Sequence, residues 1–289
     1  MRPRRAAAFA LALLLPAAAA ADSLKDVADR GTLRLGVRAD AAPFSAADGT
    51  GYAGYSVDLC RAVVAAAAAA TGRPIRAEFV PVDAGNRLSL LAEGRIDLLC
   101  EATSRTLGRL DGADFSLPTF VTGAGLMVRI APRQVAMPPL GGGAVGLPVE
   151  APRRIGALAG TTTEQVLRER IARGELGAQL IEAATHGDGL AALTAGLTDA
   201  YAADLEILVS LRAQAPDPAA LAIADRVLSL ETYALGIRPG ARELRVLTDR
   251  LIARESRSGG LMATAQRHFP GRAPGDAFLA MLLLNAMPD

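Results

Sequence analysis

Short apolar runs alternate with helical stripes along this chain, once on either side of a proline- and glycine-rich break at 131–152. Before the break, 33–37 alternates apolar with other residues, as a half-buried strand does. Val57, Cys60, Val63 and Val64 form one stripe of a helix over 55–70, and Gly72 stops it. Ile75, Ala77 and Phe79 mark a second strand, and 88–92 is a short helix closed by Gly94. The run 96–100 is almost continuously apolar, the pattern of a strand covered on both faces. After the break the spacing predicts strands at 155–159, 179–183 and 198–203, with helices at 161–173, 190–197 and from Leu205. A strand at 233–237 and a helix at 241–256 follow. A β-α-β-α-β succession implies largely parallel sheets flanked by helices, so the expected class is α/β. The length suits two lobes of ordinary domain size.

The start of the chain reads differently. Met1-Arg2-Pro3-Arg4-Arg5 precedes an apolar run from Ala6 to Leu15, and alanines continue to Asp22. A basic start, about ten apolar residues and a small-residue end describe a secretory signal peptide over 1–21. The run is too short to span a bilayer, which needs roughly 20 apolar residues. No cysteine stands at the cleavage point for lipid attachment, so the expected location is the periplasm, in soluble form. Without the leader arginines the formal charge of +1 turns slightly negative, and no nucleic-acid partner is expected. The periplasm permits disulfides. Cys60 and Cys100 are the two cysteines, and a bridge between them is expected, with two buried free thiols as the alternative.

Several chemistries are set aside. Gly141-Gly142-Gly143-Ala144-Val145-Gly146 has the spacing of a dinucleotide fingerprint, but it follows Pro138-Pro139 instead of a strand and opens no helix. It reads as a loop, and no cofactor is expected. His186 and His268 lie far apart, with no cysteine or carboxylate in ligand spacing, so no metal site is expected. No G-x-S-x-G nucleophile elbow occurs.

Gly54-Tyr55-Ser56-Val57-Asp58-Leu59, the 86–97 segment and Asp114-Phe115-Ser116-Leu117-Pro118 resemble family-3 extracellular solute-binding proteins of polar amino-acid ABC transporters. The likeness is to the glutamate/aspartate-binding branch through Pro43-Phe44-Ser45, Asn86-Arg87, Gly160-Thr161-Thr162-Thr163-Glu164 and His186-Gly187-Asp188. It covers essentially the whole mature chain. The resemblance implies a two-lobed periplasmic-binding-protein fold (type II), with the ligand in the cleft between lobes. Lobe one would comprise 22–128 plus 236–289 and lobe two 129–235, hinged near Val128 and Glu231. The protein would act as a monomer, and its partners would be an amino acid and the membrane subunits of an ABC permease.

A free amino acid brings charges into a water-poor cleft, where each must meet an opposite charge or several hydrogen bonds. For the α-carboxylate the resemblance points to Arg109, whose planar fork can donate two parallel bonds, with Ser104 beside it. Across the cleft, Thr161-Thr162-Thr163-Glu164 has a capping-box pattern, and the free N–H groups of such a helix start attract anions. A plain capped helix would look the same. For the α-ammonium, Asp204 ends the strand at 198–203, and strand ends of open α/β sheets gather ligands. The carbonyl of Ala102 would assist, in place of a serine found in the glutamate/aspartate branch.

By the same resemblance Arg38, Arg87 and His186 receive an acidic side chain, and that partner would protonate His186. Ala41 stands where binders of basic amino acids carry an aromatic, while Ala84 replaces a serine that helps hold the acid. Phe44 is either a wall against the ligand's carbon chain or an ordinary core residue. Glu101 adds a negative charge near the site, unless strand alternation turns it away. Two other functions fit the fold. A cyclohexadienyl-dehydratase-like enzyme would use Glu101 as general acid and Arg38, Arg87 and Arg109 for an anionic substrate. A ligand-sensing lobe would need a separate membrane partner, because the apolar run at 278–284 is too short to cross a membrane.

Overall fold

The structure, a computed structural model, describes residues 23–130, 152–224, 227–270 and 275–288. The signal peptide expected at 1–21 lies outside the described residues, as does the loop at 131–152 except for its last residue. Helix α1 (Ser23–Arg30) leads into strand β1 (Thr32–Val37). A small antiparallel sheet follows, of β2 (Asp40–Ala41), β3 (Ser45–Asp48) and β4 (Gly51–Ala53). Helix α2 (Tyr55–Thr71) buries Val57, Cys60, Val63, Val64 and Ala67, the stripe legible in the sequence, and ends at Gly72. Then come β5 (Arg76–Pro81), α3 (Arg87–Ala92), β6 (Leu98–Leu99) and β7 (Asp114–Thr122).

Past Gly123 the chain enters a second α/β unit. Its elements are β8 (Ala124–Arg129), β9 (Arg154–Leu158), α4 (Thr162–Ala172), β10 (Gln179–Ala183), α5 (His186–Thr194), β11 (Ala200–Asp204), α6 (Leu205–Gln214) and β12 (Leu221–Ile223). Strand β13 (Glu231–Ile237) returns to the first unit, and helices α7 (Arg242–Ser258), α8 (Gly260–His268) and α9 (Asp276–Asn285) follow. The first sheet has the order β5-β1-β6-β13-β7 and the second β10-β9-β11-β8-β12. In each, four strands point one way and one runs against them. The contrary strand is β13 in the first sheet and β8 in the second. Each follows a crossing between lobes.

Those crossings correct the expected lobe boundaries. Val128 pairs with Ala200 and Ala222, well inside the second sheet, so a boundary at 128 cuts β8. A boundary at 235 likewise cuts β13, which pairs with β6 and β7 of the first sheet. The chain changes lobes at Gly123 and again just before Glu231. At the first crossing the apolar strands flanking Gly123 read as one run, which hides the boundary. A Cβ on Gly123 would lie 2.3 Å from the Ser229 carbonyl oxygen, so only glycine lets the two crossing segments approach so closely. They are also bonded to each other, with Leu228 N–H donating to the Ala124 carbonyl at 2.6 Å and Ala124 N–H to Ser229 Oγ at 3.2 Å.

Helix α5 begins at His186, four residues before the expected start at 190. Gly187 and Gly189 weaken the helical signal there. Thr185 restores it as N-cap, its Oγ1 accepting from Asp188 N–H at 3.0 Å. Gly189 is required by packing, since a Cβ would fall 2.0 Å from the Tyr201 ring. Cys60 and Cys100 form a disulfide with Cα atoms 6.0 Å apart, joining α2 to the residue after β6. Helix α9 buries Phe278 and Met281 and packs on β7 and α7. Among the described residues no helix is long and apolar enough to cross a membrane.

Candidate functional site

The two lobes meet over a cleft lined by Arg38, Arg87, Ala102, Ser104 and Arg109 from the first and by Thr161, Thr162, His186 and Asp204 from the second. Every site residue expected from sequence lines it except Phe44. The enclosed space is about 20 Å³, room for about one water. The lobes are therefore shut, and a ligand larger than a water would enter only as they part.

Phe44 faces the core of lobe one. It is fully buried, with ring centroids 4.9 Å from Tyr233, 5.2 Å from Phe120 and 5.4 Å from Phe269. The reading of Phe44 as a wall of the ligand pocket is replaced by its core role. An aromatic cluster of this size buries far more apolar area than one ligand chain could offer.

On the floor of lobe one, Arg38 and Arg87 are both buried, and Glu101 lies between them. Glu101 Oε2 is 3.7 Å from Arg38 Nη1, and Oε1 is 3.4 Å from Arg87 Nε. Thr103 donates to Glu101 Oε1, and Ser56 Oγ donates to the Glu101 carbonyl at 2.9 Å. Glu101 is 1% exposed and does not line the cleft. It buttresses the arginines. A general acid must come within hydrogen-bond reach of its substrate, and Glu101 is off the cleft lining, paired with the two arginines instead.

Arg38 also donates to Asp40 Oδ1 from Nε at 2.9 Å and from Nη2 at 2.7 Å. Burial opposes ionisation of Asp40, but Arg38 and the His186 N–H outweigh it and hold the carboxyl below its usual range. Arg87 reaches across the cleft, Nη2 to the Gly160 carbonyl at 3.4 Å, and its Nη1 has no hydrogen-bond partner among the described residues.

His186, first residue of α5, is 3% exposed, and its Nδ1 is 2.9 Å from the Tyr201 hydroxyl. Burial, reinforced by Arg38, brings its pKa down to about 3 despite Asp40. The imidazole is thus neutral in the ligand-free cleft. It can accept or donate one hydrogen bond at Nε2, but it brings no charge to a carboxylate.

Around the helix start of lobe two, Thr161 caps α4 by accepting from Glu164 N–H at 3.2 Å. Only half of the capping box forms, because Arg168 takes the Glu164 carboxylate. Arg109 comes from a turn at Gly108–Asp111, with Nη1 donating to the Ser104 carbonyl at 2.7 Å. Glu231, the first residue of β13, accepts from Thr162 Oγ1 at 2.6 Å, from Ser229 Oγ at 2.8 Å and from Ser104 Oγ. Ser104 of lobe one and Thr162 of lobe two thus share an acceptor at the crossing.

Asp204 ends β11, accepting from the Tyr233 hydroxyl and from Thr163 Oγ1 at 3.5 Å. Burial, together with Glu231 and Glu206 nearby, pushes its pKa up to about 7, although the Tyr233 and Thr163 bonds pull the other way. A raised carboxyl pKa disfavours the folded, lobes-shut form as pH rises through that value. An ammonium group beside Asp204 would reverse this by favouring the ionised form. Binding of an amino acid is therefore expected to release a proton near neutrality. Affinity should fall about tenfold per pH unit below pH 7, as titrations at pH 5, 6, 7 and 8 would read. An Asp204→Asn variant should bind weakly with a flat profile. A flat profile in the unaltered protein would remove Asp204 from contact with the ligand.

Asp40, Tyr201, Glu231 and Tyr233 do not line the cleft but bond to residues that do, and sequence reasoning gave them no part in it. A signal existed for Asp40, because residues 38 and 40 project to the same side of an extended chain. None marks Glu231, whose role depends on two hydroxyls that meet only in three dimensions.

A family model for bacterial extracellular solute-binding proteins, family 3, matches residues 33–271. A glutamate/aspartate import solute-binding protein of Salmonella typhimurium is 31% identical over 245 residues, covering 84% of this chain and 78% of that one. A glutamate/glutamine/aspartate/asparagine-binding protein of Rhodobacter capsulatus is 30% identical over 234 residues, 80% of this chain and 65% of that one. In structure the chain is similar to the cysteine-binding protein of Campylobacter jejuni, with a TM-score of 0.71 at 20% identity, covering 88% of this chain and 96% of that one. That likeness is one of fold.

Proposed function

The chain belongs to the bacterial extracellular solute-binding proteins of family 3, and from that premise we propose that its cleft captures glutamate or aspartate, or one of their amides, in the periplasm. It is a solute-binding component of an amino-acid ABC importer, working with membrane permease subunits, and not an enzyme. It acts as a monomer that closes on its ligand and presents the closed form to the permease.

One observation carries the ligand class. Arg87 is 1% exposed, lines the cleft, and has a buried guanidinium nitrogen with no acceptor among the described residues. A buried donor left unpaired costs about 1–3 kcal/mol, which an oxygen of the ligand would recover. With Arg38 and neutral His186 beside it, that end of the cleft suits a carboxylate or carboxamide side chain. Arg109, Ser104 and the start of α4 would take the α-carboxylate, and Asp204 with the Ala102 carbonyl the α-ammonium. The two relatives that bind glutamate and aspartate support the same reading.

The test is calorimetric titration of refolded, ligand-stripped protein with glutamate, aspartate, glutamine, asparagine, leucine and arginine. Binding confined to the first four is the expected result, and binding of leucine or arginine with equal strength would discard the pocket assignment. Arg38→Ala should separate acids from amides. We expect it to weaken glutamate by about 2 kcal/mol, roughly thirtyfold, and glutamine much less. An equal loss for both would mean that Arg38 does not meet the side chain.

A further inference from the structure

The shut lobes touch through Asp40, a residue that the assignment above gives no ligand role. Its two carboxylate oxygens serve different lobes. Oδ1 takes both Nε and Nη2 of Arg38 in lobe one, and Oδ2 accepts the backbone N–H of His186 in lobe two at 3.2 Å. Strand β2 and helix α5, which carry these groups, are in contact. The His186 N–H belongs to the first turn of a nine-residue helix, whose leading N–H groups have no partner within the helix and carry its positive dipole end. The side chain of Asp40 is 28% exposed, so this contact lies towards the rim of the cleft.

We propose that Asp40 is a closure latch and positioning residue, fastening the first turn of α5 to Arg38 only when the lobes are shut and thereby setting how long a ligand stays bound. The bond to His186 spans the two lobes and would be broken by their parting, while the pair with Arg38 lies within lobe one and needs no closure. The difference between the two forms is what can shift the equilibrium between them. One carboxylate thus couples the aim of a ligand-facing arginine to lobe closure. The groups facing Asp40 are Arg38 from its own lobe and, from α5 and β11, the His186 N–H and the His186–Tyr201 pair.

The proposal rests on the amino-acid-binding reading for its kinetic test and is independent of it for its structural test. Asp40→Asn keeps shape and one acceptor, but its NH2 must face either Arg38 or the His186 N–H, both of them donors. Stopped-flow binding of L-glutamate is expected to show dissociation about tenfold faster, with little change in association rate and in the ratio of glutamate to glutamine affinity. Small-angle scattering of the ligand-free variant should give a larger radius of gyration than the unaltered protein, at equal thermal stability. Unaltered dissociation together with unaltered compactness would overturn the latch. So would tighter binding of glutamate, because Asp40 would then act mainly as a repelling charge. If neither protein bound any amino acid, the functional reading would fail, and scattering alone would decide on the latch.

Discussion

Arg109→Ala is expected to raise the Kd for every amino acid by two to three orders of magnitude, whichever side chain the ligand carries. The α-carboxylate is common to all of them, and Arg109 is the arginine that sits beside both Ser104 and the start of α4. Its Nη1 bond to the Ser104 carbonyl fixes the plane of the guanidinium and leaves further donors for a ligand. Truncating one partner of a buried, hydrogen-bonded charge pair costs about 2–5 kcal/mol, which spans the predicted change. Stability should alter little, since the side chain makes few internal bonds. Calorimetry with glutamate and glutamine reads the outcome. Normal binding would mean that the α-carboxylate is held elsewhere, by α4 or by Arg87, and the orientation of the ligand in the cleft would have to be reversed.

The second large effect concerns stability. Cys60 and Cys100 close a loop with a sequence separation of 40 residues. The chain-entropy model gives about 4 kcal/mol for a loop of that length. A Cys60→Ala/Cys100→Ala double variant should therefore melt on the order of 10 °C lower. Both sulfurs are buried behind the cleft floor, so ligand affinity should change much less than melting temperature. A melting temperature within a degree or two of the unaltered protein would show that the core of lobe one already holds α2 against β6 without the bridge.

Much of the site was legible because its residues stand at the ends of elements with strong patterns. Arg38 follows β1, Asp204 ends β11, and the threonines open α4, so a reading of strands and caps places them together once two lobes are assumed. What was not legible depends on contacts without local signal. Phe44 is an aromatic at a loop end, and only its packing against Tyr233 and Phe120 shows that it turns inward. The charge of His186 follows from burial and a neighbouring arginine, neither visible along the chain. Strands β2 to β4 are two to four residues long, too short for a period to declare itself. Helix α1 escaped notice because it is only eight residues long and lies directly behind the leader, too short for a period to stand out.

The interleaving of the first sheet bears on the order in which the protein can be built. Strand β13 lies between β6 and β7, yet it follows the whole of lobe two in the chain. A polypeptide emerging N-terminus first can therefore finish its second lobe while the first still lacks a central strand. Cys60 and Cys100 both precede that gap, so oxidation can secure the incomplete half early. The inserted lobe begins and ends on adjoining, mutually bonded segments at Ala124 and Leu228. It is therefore a cassette whose two ends meet, suited to excision or exchange without redesign of the part that receives it.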